Sequence, residues 1–109
     1  MTIKVYMKQN DTMPRRVYAL KHNGTAVDLT GATVKFIMRA QGSSSTKVNA
    51  SATVSDQTNG LVYYAWSSSD TDTTGEYEAE FQVTYSDSTV ETFPNSGNIR
   101  IKIVDDIGS

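Results

Sequence analysis

In segment after segment of this chain, apolar side chains recur at every second position, and this pattern constrains its fold more than any other feature. A period of two belongs to a strand with one face on a core and the other in water, and no segment carries the three-and-four spacing of an amphipathic helix. Residues 76–85 are the most regular: Tyr77, Ala79, Phe81, Val83 and Tyr85 alternate with Glu76, Glu78, Glu80, Gln82 and Thr84.

Seven further segments behave alike. Residues 2–8 alternate through Ile3, Val5 and Met7, and residues 15–21 place Val17 and Ala19 on one face. Residues 32–39 set Val34, Phe36 and Met38 against Lys35, Ile37 and Arg39, with Ile37 marking a strand partly covered on both sides. Residues 48–55, with Ala50, Ala52 and Val54 inward, are polar enough for a sheet edge. Residues 61–66 put Leu61, Tyr63 and Ala65 on one face and Val62, Tyr64 and Trp66 on the other, residues 89–93 run up to Pro94, and residues 98–104 turn Ile99, Ile101 and Ile103 inward. Turn signals separate them: Asn23-Gly24, the Gly/Ser run after Gln41, Asn59-Gly60, Asp87-Ser88 and Asn95-Ser96-Gly97. Eight short strands without crossover helices bury their apolar faces by stacking as antiparallel sheets. The expected fold is all-β: one antiparallel immunoglobulin-like β-sandwich of about seven to eight strands over residues 1–109. Its inward set is Val34, Phe36, Leu61, Tyr63, Tyr77, Ala79, Phe81, Val83, Ile99 and Ile101.

A chain of 109 residues builds one modest core and no cavity for a large cofactor, and with no cysteine it has neither disulfides nor thiolate metal sites. No cofactor is expected. The formal charge of −2 is dispersed, and the densest basic cluster, Arg15-Arg16, is too sparse to follow a phosphate backbone, so nucleic acid is not an expected partner. The first ten residues alternate instead of forming a charged region and an apolar run, and no 18-residue apolar stretch occurs, so neither a signal peptide nor a membrane partner is expected.

Four features invite a chemical reading. Asp70-Thr71-Asp72-Thr73-Thr74-Gly75 begins like a calcium loop, but the position that should supply the closing glutamate holds Phe81. The reading adopted is a polar loop whose aspartates fold back on the backbone, with Asp70 and Asp72 kept as a candidate contact loop. Gly75-x-Tyr77-x-Ala79 has the spacing of a tyrosine corner, which assigns Gly75 and Tyr77 a structural role beside Trp66 as a core partner. Glu76, Glu78 and Glu80 stand roughly 6.5–7 Å apart along a wet strand face, where nothing desolvates them into an acid/base pair and cations on neighbouring strands are the natural partners. His22, the only histidine, has no nucleophile pattern near it, and no Gly-x-Ser-x-Gly elbow exists, so no catalytic residue is assigned and no enzyme is expected.

Several stretches, taken in order, resemble the N-terminal domain of phage baseplate upper proteins, an immunoglobulin-like virion domain. They are Val27-Asp28-Leu29-Thr30-Gly31 with the strand that follows to Arg39, then Gly60-Leu61-Val62-Tyr63-Tyr64-Ala65-Trp66, then the run from Asp70 to Phe81, and Glu91-Thr92-Phe93-Pro94-Asn95. The resemblance implies a non-catalytic anchor of tail or baseplate that contacts other phage virion proteins, in a virion made in the bacterial host cytoplasm. Because the chain stops at Ser109, without the coiled coil or receptor-binding region of longer members, the expectation widens to a small accessory protein of tail, neck or capsid surface, with self-contacts in a symmetric assembly. The alternative from another class is a carbohydrate-binding sandwich using Tyr6, Tyr18, Tyr64 or Trp66 as stacking platforms. The two differ in one respect: a sugar site needs coplanar, exposed aromatics.

Overall fold

A computed structural model describes residues 3–12, 16–22, 24–94 and 99–105. The expected strand starts at Thr2, Arg15 and Asn98, the basic residue Arg15, Asn23 of the Asn-Gly turn and the loop residues Asn95 to Gly97 lie outside those residues. Among the described residues the chain forms eleven strands and one 3-10 turn. The strands are β1 (Ile3–Lys8), β2 (Val17–Ala19), β3 (Lys21–His22), β4 (Thr25–Ala26), β5 (Thr33–Ala40) and β6 (Thr46–Ser51). β7 (Thr53–Asp56), β8 (Leu61–Tyr63), the turn Ser68–Thr71, β9 (Gly75–Thr84), β10 (Val90–Phe93) and β11 (Ile99–Val104) complete the order.

These form two stacked layers. The larger sheet runs β1-β11-β9-β5-β6, with β10 also on β9, and the smaller runs β2-β8-β7. β9 organises the larger sheet: β5 follows one edge along residues 77–84, while β11 and then β10 share the other, pairing with residues 75–79 and 81–84. Stacking of the sheets is seen directly in the aromatic contacts, Tyr18 of β2 lying 5.1 Å from Phe81 of β9 and Phe36 of β5 lying 4.5 Å from Tyr64, just past β8. The all-β sandwich is therefore as expected, with one departure in strand direction. β1 pairs parallel with β11, from Ile3 against Ile99 to Lys8 against Val104, which makes the larger sheet mixed.

The strand count rises above eight for two reasons. Residues 46–56 break at Ala52, whose amide donates to the Val34 carbonyl, so the segment leaves the larger sheet as β6 and enters the smaller as β7. A two-residue hairpin, β3 and β4, adds the rest.

Alternation assigns faces correctly on β5, β9 and β11, where Val34, Phe36, Tyr77, Ala79, Phe81, Val83, Ile99 and Ile101 are all buried. On β8 it does not: Val62 and Tyr64 are buried, whereas Leu61 and Tyr63, expected inward, are half-exposed. Both faces of that segment are apolar, so the register is settled by its partners, Tyr18 and Val54 standing opposite Val62. β2 follows suit. Val17 and Ala19 face solvent and Tyr18 between them points to Phe81.

Candidate functional site

The loop of residues 67–75 is the best-connected irregular segment. The Asp70 carboxylate accepts from the Ser67 amide at 2.9 Å, holding the first turn of the 3-10 segment, and from the Tyr64 hydroxyl at 2.7 Å. Burial and that carboxylate push the Tyr64 phenol well above its ordinary value. Thr71 is fully buried, and its hydroxyl donates to the Asp11 carbonyl at 2.8 Å while its own carbonyl accepts from the Asn10 amide. Asp72 forms an ion pair with Lys47 at 2.8 Å, which lowers the Asp72 carboxyl and raises the Lys47 ammonium, and its carbonyl accepts from the Gln9 side chain. The loop thus clamps the end of β1 to β6. Asp70 is spent within the fold, and Asp72 is the exposed member of the pair.

Tyr77 is buried on β9 and its hydroxyl donates to the Thr73 carbonyl at 2.8 Å, four residues upstream. Gly75 adopts a φ of +145°, which lets the chain swing from the loop into the strand beneath that bond. Trp66 is half-buried, edge-on to Phe36 at 5.3 Å and to Tyr64 at 5.2 Å. Removing only the hydroxyl in Tyr77→Phe is expected to cost about 0.5–1.5 kcal/mol, and Tyr77→Ala several times that through the cavity. Denaturant melts of the three proteins measure both, and two unchanged midpoints would remove Tyr77 from any structural role.

A second polar cluster sits where the β3–β4 hairpin meets β10. Glu91 accepts from the Tyr85 hydroxyl at 2.8 Å through one oxygen and contacts His22 Nδ1 at 2.9 Å through the other. Burial, then the Glu91 bond, pushes the Tyr85 phenol up to about 12 from its ordinary value of 10.0. The stability it confers is whole below pH 10 and is lost as pH climbs through about 12. Melting temperature is expected to fall over that interval in the native chain and to fall less in Tyr85→Phe, and identical alkaline limbs would exclude the pair.

The outer face of the larger sheet is charged in stripes. β9 presents Glu76, Glu78 and Glu80; β5 sets Arg39 and Ile37 against the last two, and β11 sets Lys102 and Arg100 against the first two. Glu78 accepts from Arg39 Nε at 2.7 Å. β1 lies beyond, with Lys4 beside Arg100 and Tyr6 beside Lys102. Only Glu76 of the row is exposed: Glu76 and Glu78 stand against cations, and Glu78 and Glu80 are partly buried, Glu80 facing Ile37. No group of three or more potential metal-ligating side chains occurs among the described residues, and no helix there is long and apolar enough to cross a membrane.

The decisive comparison is with protein families: the model of the BppU N-terminal domain, the N-terminal domain of baseplate upper proteins, matches residues 2–108. The chain belongs to that family. The baseplate upper N-terminal domain is a structural domain of phage baseplates, and this chain is a phage baseplate structural module. Among solved structures it is similar to the N-terminal domain of phage TP901-1 ORF48, at 17% identity, with 94% of each chain covered and a TM-score of 0.67, a likeness of fold. No curated protein matches it.

Within this baseplate domain, Gly75 opens β9 and Tyr77 is buried on it, Trp66 packs against Phe36 and Tyr64, and Asp70 and Asp72 sit in the 67–75 loop. Alternation and turn spacing gave no sign of the burial of Thr71, of the close approach at Gly60 or of the Tyr64–Asp70 bond. A threonine inside a polar loop carries no local sign of burial, and Gly60 was visible only as one more turn glycine.

Proposed function

We propose that this baseplate domain is a non-catalytic assembly or anchoring module that resides in the virion and works through contacts with other virion proteins. The family match over residues 2–108 is the observation that carries the reading. The use of the polar groups supports it. Asp70, Tyr64, Tyr85 and Glu91, which include the phenols displaced furthest, satisfy one another or nearby backbone and position the loop and hairpin. Tyr77 and Gly75 act in the same scheme as parts of the frame, and Asp72 offers a rim contact.

The aromatic geometry weighs against the carbohydrate-binding alternative. Tyr64 is buried, Tyr64 and Trp66 stand at 80° to each other, and Tyr18 contacts Phe81 and has the Arg16 guanidinium over its ring. Tyr6 is well exposed but lies on the opposite, outer face. These four do not form a coplanar platform.

Mass spectrometry of purified particles of the phage that encodes the chain tests the reading, with immunogold labelling to place the protein. It is expected in the particle in a fixed copy number and at the tail end. Absence from intact particles, or specific capture by polysaccharide lost in Trp66→Ala, would overturn the proposal.

A further inference from the structure

The striped outer face has a charge that the chain as a whole does not predict. Lys4, Lys8, Lys35, Arg39, Arg100 and Lys102 are exposed on it against Glu76, Glu78 and Glu80, a balance of +3 on a chain of net charge −2, which leaves −5 for everything else. The excess is concentrated at the β1–β11 edge. There Lys4 stands beside Arg100, two cations side by side, and Lys4 and Lys102 have no ion pair among the described residues. Like charges opposite one another on paired strands destabilise a sheet, and the Lys4–Arg100 pairing is of that kind, although on the other side of β11 Arg100 faces Glu78 and Lys102 faces Glu76. Between them Tyr6 is 64% exposed, above a depression of about 150 Å3 lined by Lys4, Tyr6, Glu76, Arg100 and Lys102.

We infer that the β1–β11 corner, with Tyr6 at its centre and Lys4, Arg100 and Lys102 around it, is a docking surface for a carboxylate-rich surface of a partner protein. An aromatic anchor within a charged rim is the usual composition of a protein interface, and opposite charge on the partner speeds and orients the encounter. The stripes favour protein over nucleic acid. A phosphate backbone crossing from β11 to β5 would run over Glu76, Glu78 and Glu80, whereas a protein surface can match alternating signs. The inference rests on the assembly reading above and names its surface.

The first test titrates the full-length 15N-labelled chain with an octaglutamate peptide. Amide shifts are expected to move along β1 and β11, to fade in high salt, and to require about tenfold more peptide in Lys4→Glu/Lys102→Glu. Lys21→Glu, off this face, should leave them unchanged. Lys4→Gln/Lys102→Gln gives an intermediate loss and serves if the charge reversal fails to fold. Shifts elsewhere, tighter binding of a short DNA duplex at this corner, or a native dimer abolished by the reversal would each overturn the inference. The second test compares incorporation into particles. Native protein incorporated and the folded reversal excluded supports the surface. Equal incorporation of both defeats the surface and leaves the assembly reading standing, while absence of the native protein defeats that reading and the inference with it.

Discussion

Truncating Phe36 to alanine is expected to cost about 3–5 kcal/mol, a large share of the roughly 5–15 kcal/mol that holds a domain of this size together. The ring is 1% exposed and touches three others: Tyr64 stacked at 4.5 Å and 13°, Trp66 edge-on at 5.3 Å, and Phe81 tilted at 5.3 Å. It is the point where the two sheets interlock, and the surrounding rings are too rigid to close over the space it leaves. Denaturant unfolding measures the loss, with Val17→Ala on the exposed face of β2 as a control expected to stay within about 0.5 kcal/mol. A loss below about 1.5 kcal/mol would mean that Phe36 is not the centre of the core.

Gly60→Ala is expected to do comparable damage for a different reason. Gly60 has a φ of +66°, and an added Cβ would lie 2.7 Å from the Val27 carbonyl oxygen and 2.8 Å from that of Leu20. Those oxygens belong to backbone that is itself bonded: the Leu20 amide donates to the Gly60 carbonyl and the Val27 amide to the Leu20 carbonyl. Neither can withdraw without breaking the entry into β8. Gly42 is the control, with a similar φ of +82° and nothing within 4 Å of its Cβ position. Gly42→Ala should show only the left-handed backbone cost of about 1–2 kcal/mol, and Gly60→Ala about 3 kcal/mol or more. Equal losses would show that the close approach carries no energy.

These two sites differ in how far the sequence reveals them. Phe36 stands out because Lys35 and Arg39 share its strand and mark the wet face, and β9 is legible for the same reason through its glutamates. β8 has no charged residue to orient it, so its face is decided by Tyr18 and Val54, from strands distant in sequence. The consequence of Gly60 depends on Leu20 and Val27, some thirty to forty residues away, which no turn motif contains. Strand direction is hidden more deeply still. Period-two alternation is the same whether a neighbour runs parallel or antiparallel, so the β1–β11 pairing leaves no local trace. The polar contacts of the 67–75 loop are half legible: that Asp70 turns back on the backbone follows from its type and place, but that it receives the Tyr64 hydroxyl does not.

The parallel pairing also determines how the domain meets mechanical force. Ile3 lies beside Ile99 and Lys8 beside Val104, so β1 is entered at one end of the sheet and β11 is left at the other. Tension applied through Ile3 and Val104 pulls two neighbouring strands past each other along their length. Every hydrogen bond between them is strained together and must fail together, whereas an antiparallel pair held at one end would unzip bond by bond. Beyond them, β11 is held by β9 and β9 by β5, which spreads the strain into the centre of the sheet. The sheet is thus laid out to transmit a pull between its two ends before it opens.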